Sequence, residues 1–145
     1  MLIRLVVDAS VAVKWLVAER DSAAAHELVA GGDELHAPRL MASEVADALW
    51  WKARTGEIGR DRAGAAVAAV AEMPVRWAAD ETLSADAGRL ALALELSAFD
   101  CLYLALAHRI GATLVTADRD FARALAPTEH GRAVVTLAEY ANKRR

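Results

Sequence analysis

The sequence predicts an α/β fold with a mostly parallel central sheet, and three observations lead there. Short apolar runs rich in β-branched residues recur along the chain. Segments with helical patterning lie between them. No linker, low-complexity tract or internal repeat divides the 145 residues. Short strands alternating with helices make a parallel sheet whose two faces are both covered. The length fits a single domain spanning residues 1–145, and a hydrophobic content of 56% supplies its core.

The first strand is read at Leu2 to Val7, in "LIRLVV", and it stops at Asp8. Ser10 is the expected cap of a helix running through Val17. Asp21 caps a second helix, Ser22 to Ala30, which Gly31 and Gly32 end. "ELHAP" is a short strand. A long helix follows from about Pro38 to Arg54, with the proline in its first turn and Gly56 beyond its end. Asp61 to Glu72 reads as helix and Pro74 stops it. "VRWA" is a short strand. Thr82 to Glu95 is helical, and Ser97 starts a helix that reaches Ile110 before Gly111. Thr113 to Thr116 is a strand leading to Asp118, Arg119 to Leu125 a helix, and Ala133 to Leu137 the last strand. In open parallel sheets, ligands bind outside the carboxyl ends of the strands. Asp8 and Asp118 stand at two such ends.

Composition excludes several classes. Net charge is −3, so no overall basic field advertises a nucleic-acid partner, although a local basic strip would serve. The one cysteine, Cys101, rules out an internal disulfide framework and suits a reducing cytoplasm. The opening apolar run is short and ends in a charge, unlike a signal peptide. No stretch approaches the ~20 apolar residues of a membrane span.

Two further acids lie on helices. Within "PRLMASEVADALWWKA", Leu40, Ala48 and Trp51 fall within about 40° of Glu44 at 100° per residue. That puts Glu44 in the middle of the apolar stripe, where an unpaired carboxylate is costly. A ligand role explains the position, and so does a rim glutamate reaching out to water. In "SAFDCLYLALAHR", Ser97 and Asp100 form an S-x-x-D capping box. Asp100 at a helix start can also face the strand ends, so the two roles are compatible. Asp118 has a similar local role as the cap of the next helix, whereas Asp8 has none while Ser10 is the cap. Two carboxylates about 4 Å apart at an effective dielectric near 20 repel by ~4 kcal/mol, so a cluster of four takes up protons or a cation. Oxygen ligands suit Mg²⁺ or Mn²⁺. Zinc does not suit: His26, His36, His108 and His130 show no ligand spacing.

"VVDAS", "SEV", "AFDCLYLALA" and "LVTADRDF" together resemble the PIN-domain nucleases. In order, spacing and length the chain looks most like the VapC-type toxins of bacterial toxin–antitoxin pairs. The resemblance covers nearly the whole chain, and "FDCLYLALA" followed by "LVTADRDF" is its most specific part. It implies an α/β/α sandwich and a Mg²⁺- or Mn²⁺-dependent endoribonuclease leaving 5′-phosphate and 3′-hydroxyl ends. Carried over by motif, Asp8, Glu44, Asp100 and Asp118 are the catalytic and metal-binding quartet, with Asp8 and Asp100 the firmest ligands. Thr116 matches a small polar position beside the last acid, and Ser10 is a supporting hydroxyl. Asp120 reads as a solvated helix residue. The implied partners are RNA, a second copy of the chain, and a cognate antitoxin whose C-terminal segment wraps the toxin and blocks the acidic pocket.

RNA needs positive charge. Arg119 and Arg123 beside Asp118, Lys52, Arg54, Arg60 and Arg62 around the end of the third helix, and the closing "NKRR" are candidates; each also reads as a solvated face or tail. Trp15, Trp50, Trp51 and Trp77 read singly as partly buried core, but the adjacent Trp50 and Trp51 cannot share one narrow face and suggest an interface. A receiver-type phosphoacceptor needs an acidic pair at the first strand and a late lysine; the only late lysine is Lys143. A haloacid-dehalogenase phosphatase wants D-x-D where this chain has Asp8-Ala9-Ser10. A serine or cysteine nucleophile lacks a histidine partner. The remaining rival is a binding module that keeps the PIN fold without cutting.

Overall fold

Parallel pairing determines where the acids end up. The computed structural model describes residues 2–144, so residues 1 and 145 of the expected domain, including Arg145 of "NKRR", lie outside the described residues. The order is β1 (Arg4–Val7), α1 (Ala9–Leu16), α2 (Ser22–Ala30), β2 (Glu34–Pro38), α3 (Leu40–Arg54), α4 (Arg60–Ala68), β3 (Arg76–Ala78), α5 (Ser84–Leu94), α6 (Ala98–Ile110), β4 (Thr113–Thr116), α7 (Arg119–Leu125), β5 (Val134–Thr136) and α8 (Leu137–Lys143). Short 3-10 turns occur at Val70–Glu72, Asp80–Thr82 and Gly131–Ala133.

The five strands form one sheet in the order β3-β2-β1-β4-β5, and all four pairings are parallel. The chain steps one way from β1 to β3, then crosses back to β4 and β5. Right-handed crossovers therefore put the helices of the first two connections on one face and α5, α6 and α7 on the other. The final helix, α8, packs against α2. This is the expected α/β/α sandwich. β1 lies in the middle, and its Leu5, Val6 and Val7 are buried on both faces. Its partner β4 buries Leu114 and Val115, and α6, which packs on β1, β2 and β4, buries Cys101, Leu104 and Leu106 in the same core.

Several boundaries differ from the sequence reading. Leu2 and Ile3 are exposed and precede β1. Pro38 ends β2, paired with Ala78 of β3, instead of starting the helix. The expected Asp61–Glu72 helix divides into α4 and a 3-10 turn, and Thr82 belongs to the turn before α5. Ser10 does not cap α1. Asp8 does, because its carboxylate accepts the Val11 N–H while Ser10 already lies inside the helix. Leu137 is not strand but the first residue of α8, whose Thr136 and Glu139 form a reciprocal capping box. The basic C-terminus is not a loose tail either: Arg144 pairs with Asp33 at 3.0 Å and stacks over Tyr140, whose hydroxyl donates to the same Asp33.

No single helix among the described residues is long and apolar enough to cross a membrane; α5 and α6 together reach that length but are bent by 115°, and α6 is buried in the core. Leu104→Ala, in that fully buried stretch, is expected to cost about 2–5 kcal/mol in urea unfolding, whereas Leu92→Ala, at a side chain 85% exposed, is expected to stay within about 0.5 kcal/mol.

Candidate active site

The site begins at the bottom, between β1 and β4. Val7 pairs with Val115, so the next residues, Asp8 and Thr116, emerge side by side at the carboxyl edge of the sheet. Asp8 is 7% exposed and Thr116 fully buried. The Thr116 hydroxyl donates to one oxygen of Asp8, and Ser10 Oγ donates to the other at 2.5 Å. Ser10 in turn accepts the Ala117 N–H at 2.9 Å, and Thr116 accepts the Asp118 N–H at 3.0 Å. Two hydroxyls thus lock the Asp8 carboxylate and stitch α1 to the loop after β4.

The other acids arrive on helix starts and flanks. Asp118 caps α7, its Oδ1 accepting the Phe121 N–H at 3.1 Å. Asp100 lies in the first turn of α6, where its own N–H is taken by the Ser97 hydroxyl; this is the serine half of the expected box. Glu44 is not in the centre of the buried stripe of α3. That stripe is Met41, Val45 and Leu49, with Glu44 half-buried on its flank and Trp51 exposed, because the helix turns a neighbouring face to the core. The Tyr103 hydroxyl donates to Glu44 Oε1.

These four acids share one electrostatic field. Burial, partly offset by the bonds from Ser10, Thr116 and the Val11 N–H, pushes Asp8 up to about 6, and the charge of Asp118 adds to the rise. Burial also raises Asp100, again with Asp118 contributing, and raises Glu44, with Asp100 and Asp80 contributing. Among the described residues no lysine or arginine forms an ion pair with any of them. Their negative charge has no cationic partner among the described residues, which leaves it open to an added cation. Among the described residues no group of three histidine, cysteine, aspartate or glutamate side chains stands close enough together to hold an ion by itself. Mg²⁺ does not need one, since it keeps several waters and is held by one or two carboxylates together with substrate phosphate. The donor set therefore fits a hard divalent cation.

Three residues went unnoticed in the sequence reading. Asp80 accepts the Leu40 N–H at 3.0 Å and so caps α3, whose own flanking residue Arg39 makes no side-chain cap. It lies two residues past β3, as Asp118 lies two past β4, and that repeated strand-then-acid pattern could have revealed it. Tyr103 left no such signal, since its bond to Glu44 spans 59 positions. Arg39 is exposed at the end of β2, among the described residues without an ion pair.

Of the candidate cations, Arg119 is exposed and Arg123 pairs loosely with Asp120 at 3.5 Å. Both line a groove of about 550 Å³ shared with Thr136 and Glu139. Lys52 is instead occupied, bonded to Glu19 at 2.6 Å and Glu57 at 3.1 Å. Cys101 is buried and its thiol is pushed up to about 11, so it is not a nucleophile. Trp15 is half-buried and donates to Ala25 O at 2.8 Å, whereas Trp50 and Trp51 are more than half exposed, edge to face at 4.9 Å.

Residues 5–125 match the family model of the PIN domain. Ribonuclease VapC3 of Pyrobaculum aerophilum is 36% identical over 121 residues, covering 82% of this chain and 92% of that protein. Among solved structures, PAE2754 from the same organism superposes with a TM-score of 0.69 at 26% identity, over 99% of this chain and 97% of that one. VapC20 of Mycobacterium tuberculosis, described as a toxin that cleaves the sarcin–ricin loop, superposes at 0.61 with 20% identity, over 83% and 94% of the two chains; at that identity the likeness is one of fold.

Since Asp8 is raised from 3.8 to about 6, its neutral form is the one the fold favours. The stability it contributes is present below about pH 3.8 and lost as pH rises through about 6, a difference of about 3 kcal/mol. Asp8→Asn has no such titration. In urea unfolding with EDTA, the stability of Asp8→Asn relative to the parent is expected to rise by that amount between pH 3.5 and 7.5; a constant difference would contradict the assignment.

Proposed function

The chain belongs to the PIN domain family, and we propose that it is a ribonuclease of the toxin class that cuts RNA phosphodiesters at Asp8, Glu44, Asp100 and Asp118 with Mg²⁺ or Mn²⁺. The observation that carries the reading is a chain of neighbouring carboxylates, Asp8 beside Asp118, Asp118 beside Asp100 and Asp100 beside Glu44, with no lysine or arginine paired to any of them among the described residues.

In this reading Asp8 and Asp100 hold the ion, with Ser10 and Thr116 keeping Asp8 in one orientation. When bound, the ion makes a coordinated water more acidic and stabilises charge on the phosphate oxygens. Asp118 keeps one oxygen outside its helix-capping bond and is exposed, which lets it complete the shell or take a proton from the attacking water. Glu44 contributes its charge from the side of the crevice. Arg119, Arg123 and the groove they line supply phosphate contacts beside the acids, with Arg39 a further one from β2. Such contacts give affinity, while the shape around the crevice decides which RNA enters.

The cognate antitoxin is the proposed protein partner, and the chain pairs with a second copy of itself. Exposed Trp50 and Trp51 support an apolar protein contact. In keeping with a single free cysteine and an RNA substrate, the proposed place of action is the cytoplasm.

The purified chain with structured RNA and Mn²⁺ is expected to give 5′-phosphate ends, and Asp8→Asn to lower the rate at least about 100-fold. Equal cleavage by both proteins would mean a contaminant, and binding without metal-dependent cleavage would favour the non-cutting module. Alanine at both Arg119 and Arg123 should weaken RNA binding and reduce the slope of log affinity against log salt by about 0.7 per lost single-strand phosphate contact; an unchanged slope removes them from the interface.

A further inference from the structure

Tyr103 lies on α6 three residues after Asp100 and is 2% exposed. A buried tyrosine hydroxyl needs a partner, and here the partner is one of the four acids, Glu44 on α3. The same hydroxyl is close enough to the Ala9 backbone N–H and to Asp8 to feel both electrostatically. It therefore bonds α6, which carries Asp100, to α3, which carries Glu44, close to the first turn of α1, which follows Asp8.

We propose that Tyr103 is a positioning residue for metal binding, fixing the Glu44 carboxylate relative to Asp8 and Asp100 through a hydrogen bond to Oε1 and leaving Oε2 for the crevice. The proposal rests on the metal-dependent ribonuclease reading. A glutamate side chain has many rotamers and loses that freedom when it is pinned. The bond removes the freedom before the ion arrives, so less remains to be lost on binding. A partner that orients a ligand in this way is commonly worth 10–100-fold in metal affinity or activity. Among the described residues no other side chain hydrogen-bonds Glu44, so the orientation depends on this one hydroxyl.

The test is Tyr103→Phe, which keeps the ring and deletes the hydroxyl. Mn²⁺ titration by calorimetry, without RNA, is expected to show about 10-fold weaker binding. At subsaturating Mn²⁺, kcat should fall about 10–100-fold with the RNA KM changed less than about twofold. A double variant, Tyr103→Phe with Glu44→Gln, should bind Mn²⁺ no more weakly than Glu44→Gln alone, because the hydroxyl acts through Glu44. Parent-like Mn²⁺ affinity in Tyr103→Phe, even with a lower Tm, would make the bond merely structural and overturn the proposal. Additive losses in the double variant would overturn it as well. A parent protein that binds Mn²⁺ yet cuts no RNA would instead refute the ribonuclease reading, and the calorimetric comparison would still decide the role of Tyr103.

Discussion

A carboxylate buried at the end of a central strand is the constraint on which the rest of this molecule turns. Asp8 has hydroxyls on both oxygens but, among the described residues, no cationic side chain paired with it. Burying a charge without an opposite charge is costly, and that cost, only partly offset by the bonds from Ser10, Thr116 and the Val11 N–H, raises Asp8 to about 6. Such a group adds nothing to folding at neutral pH that a neutral residue could not supply better. The proposed dication would account for its placement.

The fold makes that placement reproducible. Parallel strands leave their carboxyl ends on one edge, and the reversal of chain direction around β1 opens a crevice between β1 and β4. Asp8 and Asp118 enter it from the two strands. Asp100 and Glu44 lie on α6 and α3, on opposite faces of the sheet, so the proposed site would draw on all three layers. The hydroxyls of Ser10 and Thr116 and the backbone around Ala117 join residues more than a hundred positions apart. Rigid packing beneath the site, from Leu5 to Val7 and from Leu114 to Val115, keeps that edge from relaxing around the repelling charges. Helix starts contribute too: Asp8 and Asp118 each cap a helix, so a local role and the site role fall on the same carboxylates.

Much of this was legible in the chain. β-Branched runs that end in an acid located Asp8 and Asp118, and the helix-start pattern located Asp100. What escaped depended on tertiary neighbours. Ser10 was the better cap by residue type, but its hydroxyl turns back to Asp8 and to the loop after β4, leaving the cap to Asp8. The helical wheel put Glu44 at the centre of a stripe, whereas packing against α1 and α4 goes with burial of the face of Met41, Val45 and Leu49. α8 was missed because its capping box at Thr136 and Glu139 follows a three-residue strand with no break between. Asp80 and Tyr103 act across the fold on Leu40 and Glu44, and no spacing rule connects such partners.

The central claim is that these four carboxyl groups form one receptor for one hard dication. Anomalous diffraction from crystals grown with Mn²⁺ tests it most directly. The account predicts a peak in the crevice, coordinated by Asp8 and Asp100. No peak there at saturating Mn²⁺, or a peak only at some other place on the molecule, would contradict it.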